Sequence, residues 1–506
     1  MILSTPHARP RRAPLAAALL AACGAAAATP PLEADLPAGW VPGAGRGVAA
    51  LMQALADRHQ MRGPGAAGTA ATRVVTSCAD DGGPGTLRAA VAAANNDDVI
   101  DLSQLQCSVV TLTQGAVKID VDSLTLHGPG APALALDGGA ADRVLVHYGT
   151  GRLLLDALTV RNGLERLAGY KVAGGACIVG NGTVTLDHVV VRDCVAIGEG
   201  AYGGGIITRG LTMYTSTLVN NVAQGSLLAT LTAAYGGGAF AFHGTAALYD
   251  CTVSGNRATI DPGNSHGSYD TGAGVFTDGG GIALRSTFSG NSTDGTGAAI
   301  ASHGGFVIGN STISGNSAGR AGGGVFVRPI YPVSIYNSTI TANQASTGAG
   351  LYLDGNGEQV TLQSTILSGN SASTGAADLD APAPQTVYGA NNLIGVAGSA
   401  VTVPNDTLHG APMLLPLANN GGLTQTHALA AASPAIDRGN NAANLATDQR
   451  GAGFPRVQGP APDIGAFETA PAAPAVVVPA PALPPWTLAL LAGLLGLSGL
   501  RRSRKR

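Results

Sequence analysis

The chain has 506 residues, of which 74 are glycine, 12% are charged and 4% are aromatic, and its formal net charge is −3. This charge balance argues against a nucleic-acid-binding protein, which needs a basic surface. Few residues of the helix-forming types recur at helical spacing in the middle of the chain, and no glycine run carries the Lys-Ser/Thr pair of a phosphate-binding loop.

The first 23 residues have the order of an export signal. Three arginines precede an apolar stretch that begins at Leu15 and ends in small residues, which is the pattern of a secretory signal peptide. Within it, Leu20-Ala-Ala-Cys23 resembles the bacterial lipobox, in which the cysteine is lipidated and becomes the mature N-terminus. A plain signal peptide, cut after one of the alanines that follow, is the alternative. Residues 24–73 are predicted to be a low-complexity linker.

Residues 74–107 are predicted to form an N-terminal cap. The stretch from 74 to 102, "VVTSCADDGGPGTLRAAVAAANNDDVIDL", resembles the CSLREA-type segment that opens many exported solenoid proteins. Its "GTLRAAVAAAN" string predicts a short amphipathic helix that caps the first coil.

A Ser-Thr-apolar-x-Gly-Asn unit is repeated along the middle of the chain. The residues that end successive units lie 27, 35, 35, 25, 27 and 27 positions apart, from Cys194 to Asn370. A period of 25 to 27 residues, with short β-branched runs between Gly and Asn, suits coils of three strands and three turns. The sequence therefore predicts an all-β fold, a parallel β-helix over residues 108–390. Its right-handedness follows from the crossover rule for parallel strands.

The asparagines of this unit are predicted to stack in one column. Asn tolerates the left-handed backbone of a sharp corner, and stacked Asn side chains bond to one another along an axis. The predicted ladder comprises Asn221, Asn256, Asn291, Asn316, Asn343 and Asn370. In this interpretation the repeat serves architecture rather than chemistry.

The repeats and the C-terminal part resemble parts of known surface proteins. The strings Gly-Gly-(Ala/Gly)-apolar and apolar-x-x-Asn resemble the repeats of polymorphic outer-membrane proteins and other right-handed, pectate-lyase-like β-helix proteins. Residues 391–468, with "NNGGLTQTHALAAASPAIDRGN" and "DIGAFE", resemble the choice-of-anchor Q domain, which lies just before a C-terminal surface anchor.

The last segment resembles a sorting signal. A Pro/Ala linker, 469–485, leads to residues 486–506, where an apolar run from Trp486 to Leu500 precedes a basic tail. This order resembles the IPTL-CTERM type of Gram-negative sorting signal, with the PEP-CTERM type as the alternative. The predicted apolar helix is short for a permanent span, which needs about 20 residues.

The six cysteines leave two interpretations open. In an exported chain Cys78 with Cys107, and Cys177 with Cys194, are candidates for disulfide bonds; otherwise all are small buried residues. No C-x-x-C pair exists, and the Asp-Gly strings lack the alternating acids of a calcium loop, so the sequence predicts no metal site and no cofactor.

The sequence predicts no catalytic residue. Leu186-Asp187-His188 resembles the W-I-D-H string of pectate lyases, but it stands at the repeat position of Met213-Tyr214-Thr215. The triplet is therefore interpreted as a variant of the corner.

Ligand binding is predicted where the repeat is interrupted. The two 35-residue steps contain insertions at about 224–235 and 259–271, which fall at the same corner of successive coils. Insertions on one face are where solenoids usually bind. The candidate ligand-binding residues, suited to a glycan or a peptide, are Tyr235, Asp261, His266, Tyr269 and Asp270. A surface loop without a ligand is the alternative.

Three functions remain open. The first is a non-catalytic, exported, surface-anchored adhesin or scaffold in the envelope of a Gram-negative bacterium, with the export and sorting machinery as partners. In this hypothesis the membrane is contacted through the C-terminal segment and, if Cys23 is lipidated, through the N-terminus. The second is a polysaccharide lyase or glycoside hydrolase, and the third is a structural spacer that binds nothing.

Overall fold

The computed structural model describes residues 70–167, 172–225, 233–260, 269–328, 331–355 and 358–470. The predicted signal peptide with Cys23, nearly all of the predicted linker and the predicted C-terminal apolar helix lie outside these residues. Within them the predicted fold class is confirmed, because the chain is a right-handed parallel β-helix with very little helix. No helix in this described part is long and apolar enough to cross a membrane.

Each coil passes through sheets 1, 2 and 3 in turn, and every strand pairs in parallel with the equivalent strand of the next coil. Sheets 1 and 2 are joined because two long strands, Ile178–Asp187 and Ile206–Tyr214, run through both. The other strands of sheet 1 are Val117–Ile119, Leu145–His147, Ala239–Ala241, Val275–Thr277, Ile300–Ser302, Val325–Val327, Leu351–Leu353 and Leu379–Asp380. The other strands of sheet 2 are Thr72–Val74, Val99–Asp101, Leu124–His127, Arg152–Asp156, Ala246–Tyr249, Gly281–Leu284, Phe306–Gly309, Val333–Tyr336, Val360–Gln363, Gln385–Ala390 and Val401–Thr402.

Sheet 3 follows a sharp corner. Its strands are Val109–Thr111, Ala135–Asp137, Thr159–Arg161, Val190–Arg192, Thr217–Val219, Thr252–Ser254, Thr287–Ser289, Thr312–Ser314, Thr339–Thr341, Ile366–Leu367 and Leu393–Ile394.

Two narrower sheets complete the coils. The strands of sheet 4, which follows the asparagine corner, are Leu164–Arg166, Val195–Gly198, Val222–Gly225, Arg257–Ile260, Ser292–Thr293, Ser317–Ala318, Gln344–Ala345 and Ser371–Ala372. The strands of sheet 5 are Val172–Gly174, Gly200–Tyr202, Ala233–Tyr235 and Tyr269–Thr271.

A short helix, α1 (Leu87–Ala92), caps the N-terminal end as the "GTLRAAVAAAN" string predicts. Its first turn begins where the Thr86 side chain accepts a hydrogen bond from the Ala89 backbone N–H, which satisfies one of the free donors of a helix start. Leu87 and Val91 lie on one face, four positions apart, and are buried. The helix therefore covers the apolar end of the solenoid.

The inward position of each strand builds one continuous core. Side chains alternate between the two faces of a strand, so the middle residue of each sheet 3 strand points inward. Val253, Phe288 and Ile313 hold this position in successive coils and are fully buried. Burial of such apolar surface is the main favourable contribution to folding.

The corner between sheets 2 and 3 places one residue per coil in the left-handed conformation, including His188, Thr215 and Asp250. The residue that follows often carries a hydroxyl group. In one coil the Ser286 hydroxyl accepts a hydrogen bond from the Cys251 N–H at 3.1 Å and donates to the Leu284 carbonyl at 2.9 Å. The serine of the Ser-Thr unit thus satisfies backbone groups that the corner would leave without partners.

The segment after residue 409 folds back along the outer face of sheet 3. Thr312 Oγ1 donates a hydrogen bond to Gln449 Oε1 at 2.6 Å, and Asn310 Nδ2 donates to the Thr447 carbonyl at 2.8 Å. Ile366 is buried with Leu429 and other apolar residues of this segment. The threonine of the Ser-Thr unit is therefore a docking position for the C-terminal segment.

Candidate functional site

The repeat asparagines stand in one buried column. Asn316 Oδ1 accepts hydrogen bonds from the Asn291 backbone N–H and from Asn291 Nδ2, at 3.0 and 2.9 Å. Asn316 Nδ2 donates to Asn343 Oδ1 at 2.9 Å and to the Phe288 carbonyl at 3.0 Å. The same arrangement runs from Asn221 to Asn370. These side chains hold neighbouring coils together and are not accessible to a ligand.

Four cysteines form the two predicted pairs. The structure has disulfide bonds between Cys78 and Cys107 and between Cys177 and Cys194. Cys251 is a free thiol, and burial raises the pKa of this thiol to about 12. Because only a thiolate is a good nucleophile, this environment does not activate Cys251 as a nucleophile. Cys23 lies outside the described residues.

The predicted insertions end on one side of the solenoid. Their last strands pair in sheet 5, where Ala233 lies opposite Tyr269, Ala234 opposite Asp270, and Tyr235 opposite Thr271. Asp261 and His266 lie outside the described residues, and only the backbone is described for Tyr269 and Asp270. Tyr235 and Tyr269 are thus two positions apart in register, and do not face each other across the strands.

Tyr235 belongs to an aromatic cluster that packs on the outer face of sheet 1. Its ring stacks on Tyr202 with a centroid distance of 5.3 Å and lies 5.1 Å from the ring of Phe276. Phe240 lies between these rings and is buried. Such contacts stabilise by about 0.5–1.5 kcal/mol beyond the burial of area. The packing of the Tyr235 ring therefore stabilises the contact between sheet 5 and sheet 1.

A second surface feature was not predicted, and we call it the sheet 2 row. It is the outward position at the end of successive sheet 2 strands, in register from coil to coil. Its members are His127, Asp156, Asp187, Tyr214 and Tyr249. Neighbouring parallel strands lie about 4.8 Å apart, so the row presents three successive levels that carry a histidine or a carboxylate, followed by two levels that carry a tyrosine.

The polar half of the row is held by two short contacts. His127 Nδ1 lies 2.6 Å from Asp156 Oδ2, and His188 Nδ1 lies 2.7 Å from Asp187 Oδ1. One ligand-type atom each from Asp156, Asp187 and His188 falls within 4.8 Å of the other two. The His188 side chain is 64% exposed and that of Asp156 is 31% exposed. This group is open to solvent and reachable by an ion or a substrate.

The Asp187-His188 pair does occupy a corner, as its repeat position indicates. Asp187 pairs in register with Tyr214, and His188 adopts the left-handed conformation with φ 52°, like Thr215 at 44°. The sequence interpretation missed the neighbours that the preceding coils bring to this pair. His127, Asp156 and Asp187 stand 29 and 31 residues apart, which lies outside the 25-to-27-residue period, so the repeat gives no signal that they share a position.

The aromatic half of the row is an exposed stack. The rings of Tyr214 and Tyr249 lie 5.3 Å apart and are inclined by 12°, and Tyr214 is 43% exposed. Beyond Tyr249, the Asp250–Arg285 ion pair and the exposed Leu423 line a groove of about 560 Å³ between the solenoid and the C-terminal segment. The face thus offers a stacked pair of tyrosine rings beside this groove.

A buried polar group lies at the corner between sheets 1 and 2. Burial raises the pKa of the Asp278 carboxyl to about 7, although its Oδ1 accepts a hydrogen bond from the His243 backbone N–H. Burial lowers the pKa of His303, on the next coil, to about 4. The Asp278 side chain is only 9% exposed, so this group affects stability more than it can serve a ligand.

Buried arginines of the C-terminal segment are structural. Arg456 pairs with Glu468 at 3.0 Å, and both side chains are almost fully buried. The guanidinium of Arg450 pairs with Asp448 and lies between the rings of Phe454 and Phe467, 4.0 and 3.8 Å from their centroids. These contacts give Asp448, Arg450, Arg456 and Glu468 a structural role within the C-terminal segment.

Comparison of the chain with protein-family models, with curated proteins and with solved structures finds no match. The resemblances of the individual segments therefore stay predictions, and the function has to be argued from the site.

Proposed function

We propose that this protein is a non-catalytic, exported solenoid that is anchored at the cell surface and acts as an adhesin or an envelope scaffold. The proposal rests on one observation, the exposed Tyr214–Tyr249 stack on an open sheet face. Exposed tyrosine rings offer an apolar body with a polar tip, which suits contact with sugar rings or peptide side chains.

The charges around this stack favour adhesion over catalysis. Asp250 is paired with Arg285 at 2.7 Å, and Asp156 and Asp187 each contact a histidine. Enzymes that act on polysaccharides enclose the scissile bond between an acid and a base whose pKa values differ. The row instead lies on an exposed face, where water reaches all of its charged groups.

A glycoside hydrolase is the second candidate, and one specific observation favours it. Carboxylate oxygens of Asp156 and Asp187 lie within 4.8 Å of each other beside His188. Retaining glycosidases hold two carboxyl groups about 5–5.5 Å apart, which is close to this spacing.

A glycan array tests the adhesin proposal. The protein is applied to immobilised bacterial and host glycans, and we expect binding that is lost in a Tyr214→Ala/Tyr249→Ala variant. Tyr388→Ala is the matched control, because Tyr388 also lies on sheet 2 and is 51% exposed. Deletion of residues 261–268 distinguishes binding at the sheet 2 row from binding at the predicted insertion, because the deletion removes only the insertion. Absence of any binding favours the spacer, and binding lost only on the deletion moves the ligand to the insertion.

Enzymatic activity is tested separately. We expect neither reducing-sugar release nor unsaturated-uronide absorbance from any polysaccharide. Cleavage that Asp187→Ala or His188→Ala abolishes, but Asp193→Ala does not, would establish the hydrolase or lyase instead.

Surface anchoring is tested by intact-mass analysis of protein extracted from the surface of the producing cells. We expect both termini to be shorter than the encoded chain. A mature protein that still carries "RRSRKR" would favour a simple membrane tether over sorting.

A further inference from the structure

We propose that Asp156, Asp187 and His188 form a binding site for a divalent transition-metal ion of the zinc class. This site is independent of the proposed adhesin function. Its ligands are Asp156 and Asp187 of the sheet 2 row and the neighbouring His188. The sequence analysis predicted no metal site on this face.

The backbone brings the three ligands together. Asp156 and Asp187 occupy the same register position of adjacent parallel strands, so their side chains leave the sheet on the same side and one coil apart. His188 follows at the corner, where φ 52° turns the chain. No strand has to move for the three side chains to converge.

The distances suit a metal after a small contraction. Ligand atoms of the three residues already lie within 4.8 Å of one another. Zinc binds nitrogen and carboxylate oxygen at about 2.0–2.2 Å, so ligands of a tetrahedral site lie roughly 3.4 Å apart. The ligand atoms have to approach one another by at most about 1.4 Å, which is within reach of χ rotations by side chains that are at least 31% exposed.

The two adjacent carboxylates of the site favour the binding of a cation. Like charges directly opposite each other on adjacent strands are destabilising, and Asp156 stands opposite Asp187. Elsewhere on the solenoid a carboxylate pairs with an arginine of the next coil, as in Asp137–Arg161. Here the side chains in contact with the two carboxylates are those of His127 and His188, and histidines are metal ligands as well as proton carriers.

The donor set selects the kind of ion. One imidazole nitrogen and two carboxylates suit zinc and similar borderline ions. Calcium takes six to eight oxygen ligands and magnesium needs an octahedron of oxygens, which two carboxylates do not supply. His127 Nδ1, 2.6 Å from Asp156 Oδ2, is placed to orient that carboxylate from outside the ligand set, with water completing the coordination.

Isothermal titration of the untagged, metal-free protein with zinc chloride at pH 7.5 tests the proposal. We expect a binding event that an Asp156→Asn/His188→Gln variant loses. Its matched control is Asp193→Asn/His409→Gln, which exchanges a half-buried Asp and an exposed His away from the row. His127→Gln should retain binding with an affinity about 10–100-fold lower.

Three results would overturn the site. They are no zinc binding by the wild-type protein, binding that the ligand variant keeps at full affinity, and tighter binding of calcium than of zinc. Circular dichroism establishes that each variant is folded. If the double variant does not fold, the single His188→Gln change at the exposed corner gives the same test, and unchanged zinc affinity in that variant refutes the proposal.

Discussion

Replacement of Asn316 by leucine tests whether the asparagine column holds the coils together. The Asn316 side chain makes four hydrogen bonds, two accepted by Oδ1 and two donated by Nδ2, and it is fully buried. Leucine has a similar volume but no polar atom. It leaves the Asn291 backbone N–H without the side-chain oxygen that accepts its hydrogen bond, and it removes one partner from Asn291 Nδ2, from Asn343 Oδ1 and from the Phe288 carbonyl.

A buried group that loses its partner costs about 1–3 kcal/mol. Because the other three groups keep or regain part of their bonding, we expect a loss of about 2–4 kcal/mol in the free energy of unfolding. Guanidinium denaturation of the protein, followed by circular dichroism, measures it. Asn405→Leu is the control, since Asn405 is exposed. If Asn316→Leu and Asn405→Leu unfold at the same denaturant concentration as the wild type, the column does not stabilise the fold.

Three further predictions concern other parts of the chain. Thr312→Val should leave Gln449 Oε1 without its donor and lower stability by about 1–3 kcal/mol, with faster hydrogen exchange near Gln449; Thr217→Val, at the uncovered equivalent position, should change neither. Cys251 should not react with a thiol reagent at pH 8 until the protein is denatured, because burial holds the pKa of this thiol at about 12. Asp278 has a folded pKa of about 7, so it favours folding below pH ~4 and this contribution is lost as the pH rises through 7. Asp278→Asn should therefore be more stable than the wild type at pH 8, by on the order of 1–3 kcal/mol, and not at pH 3.5; equal unfolding midpoints at pH 8 would contradict this.

The fold was predictable because the residues at the corners of the coils recur at the period of the coil. An asparagine at 25-to-27-residue spacing marks a turn whatever the strands contain, and each coil contacts mainly its two neighbours. The expectation that the asparagine itself takes the left-handed backbone is wrong, because the residue before it does so, as at Gly290 and Gly315. The role of the Ser-Thr pair was less predictable. The serine bonds within its own corner, but Thr312 meets Gln449 across 137 residues of sequence, and the repeat contains no signal for a partner that lies outside it.

The group of Asp156, Asp187 and His188 was also difficult to predict from the sequence, because the repeat does not extend to all of its coils. The ladder alignment begins at Cys194, in the coil that contains Asp187. That coil and the one before it have His188-Val189 and Ala157-Leu158, where the coils from Thr215 to Ser364 have a hydroxyl or thiol after the left-handed residue. Without the repeat to align them, the positions of His127 and Asp156 could not be matched to that of Asp187. The sequence analysis named Tyr235 as a candidate ligand-binding residue because of its aromatic ring. In the structure that ring packs against Tyr202 and Phe276.

The location of the sheet 2 row follows from how the rest of the surface is used. The interior is filled by the core, the asparagine corner is buried, and from Thr287 onward the C-terminal segment covers the outer face of sheet 3. That segment reaches sheet 2 at Arg285, whose carbonyl accepts a hydrogen bond from Thr424 Oγ1 at 2.9 Å. The row from His127 to Tyr249 lies on the coils before this point. On these coils the outward side chains do not contact the C-terminal segment. Substitutions that bring charged or aromatic side chains to this surface therefore destabilise the fold little, and a binding site can evolve there.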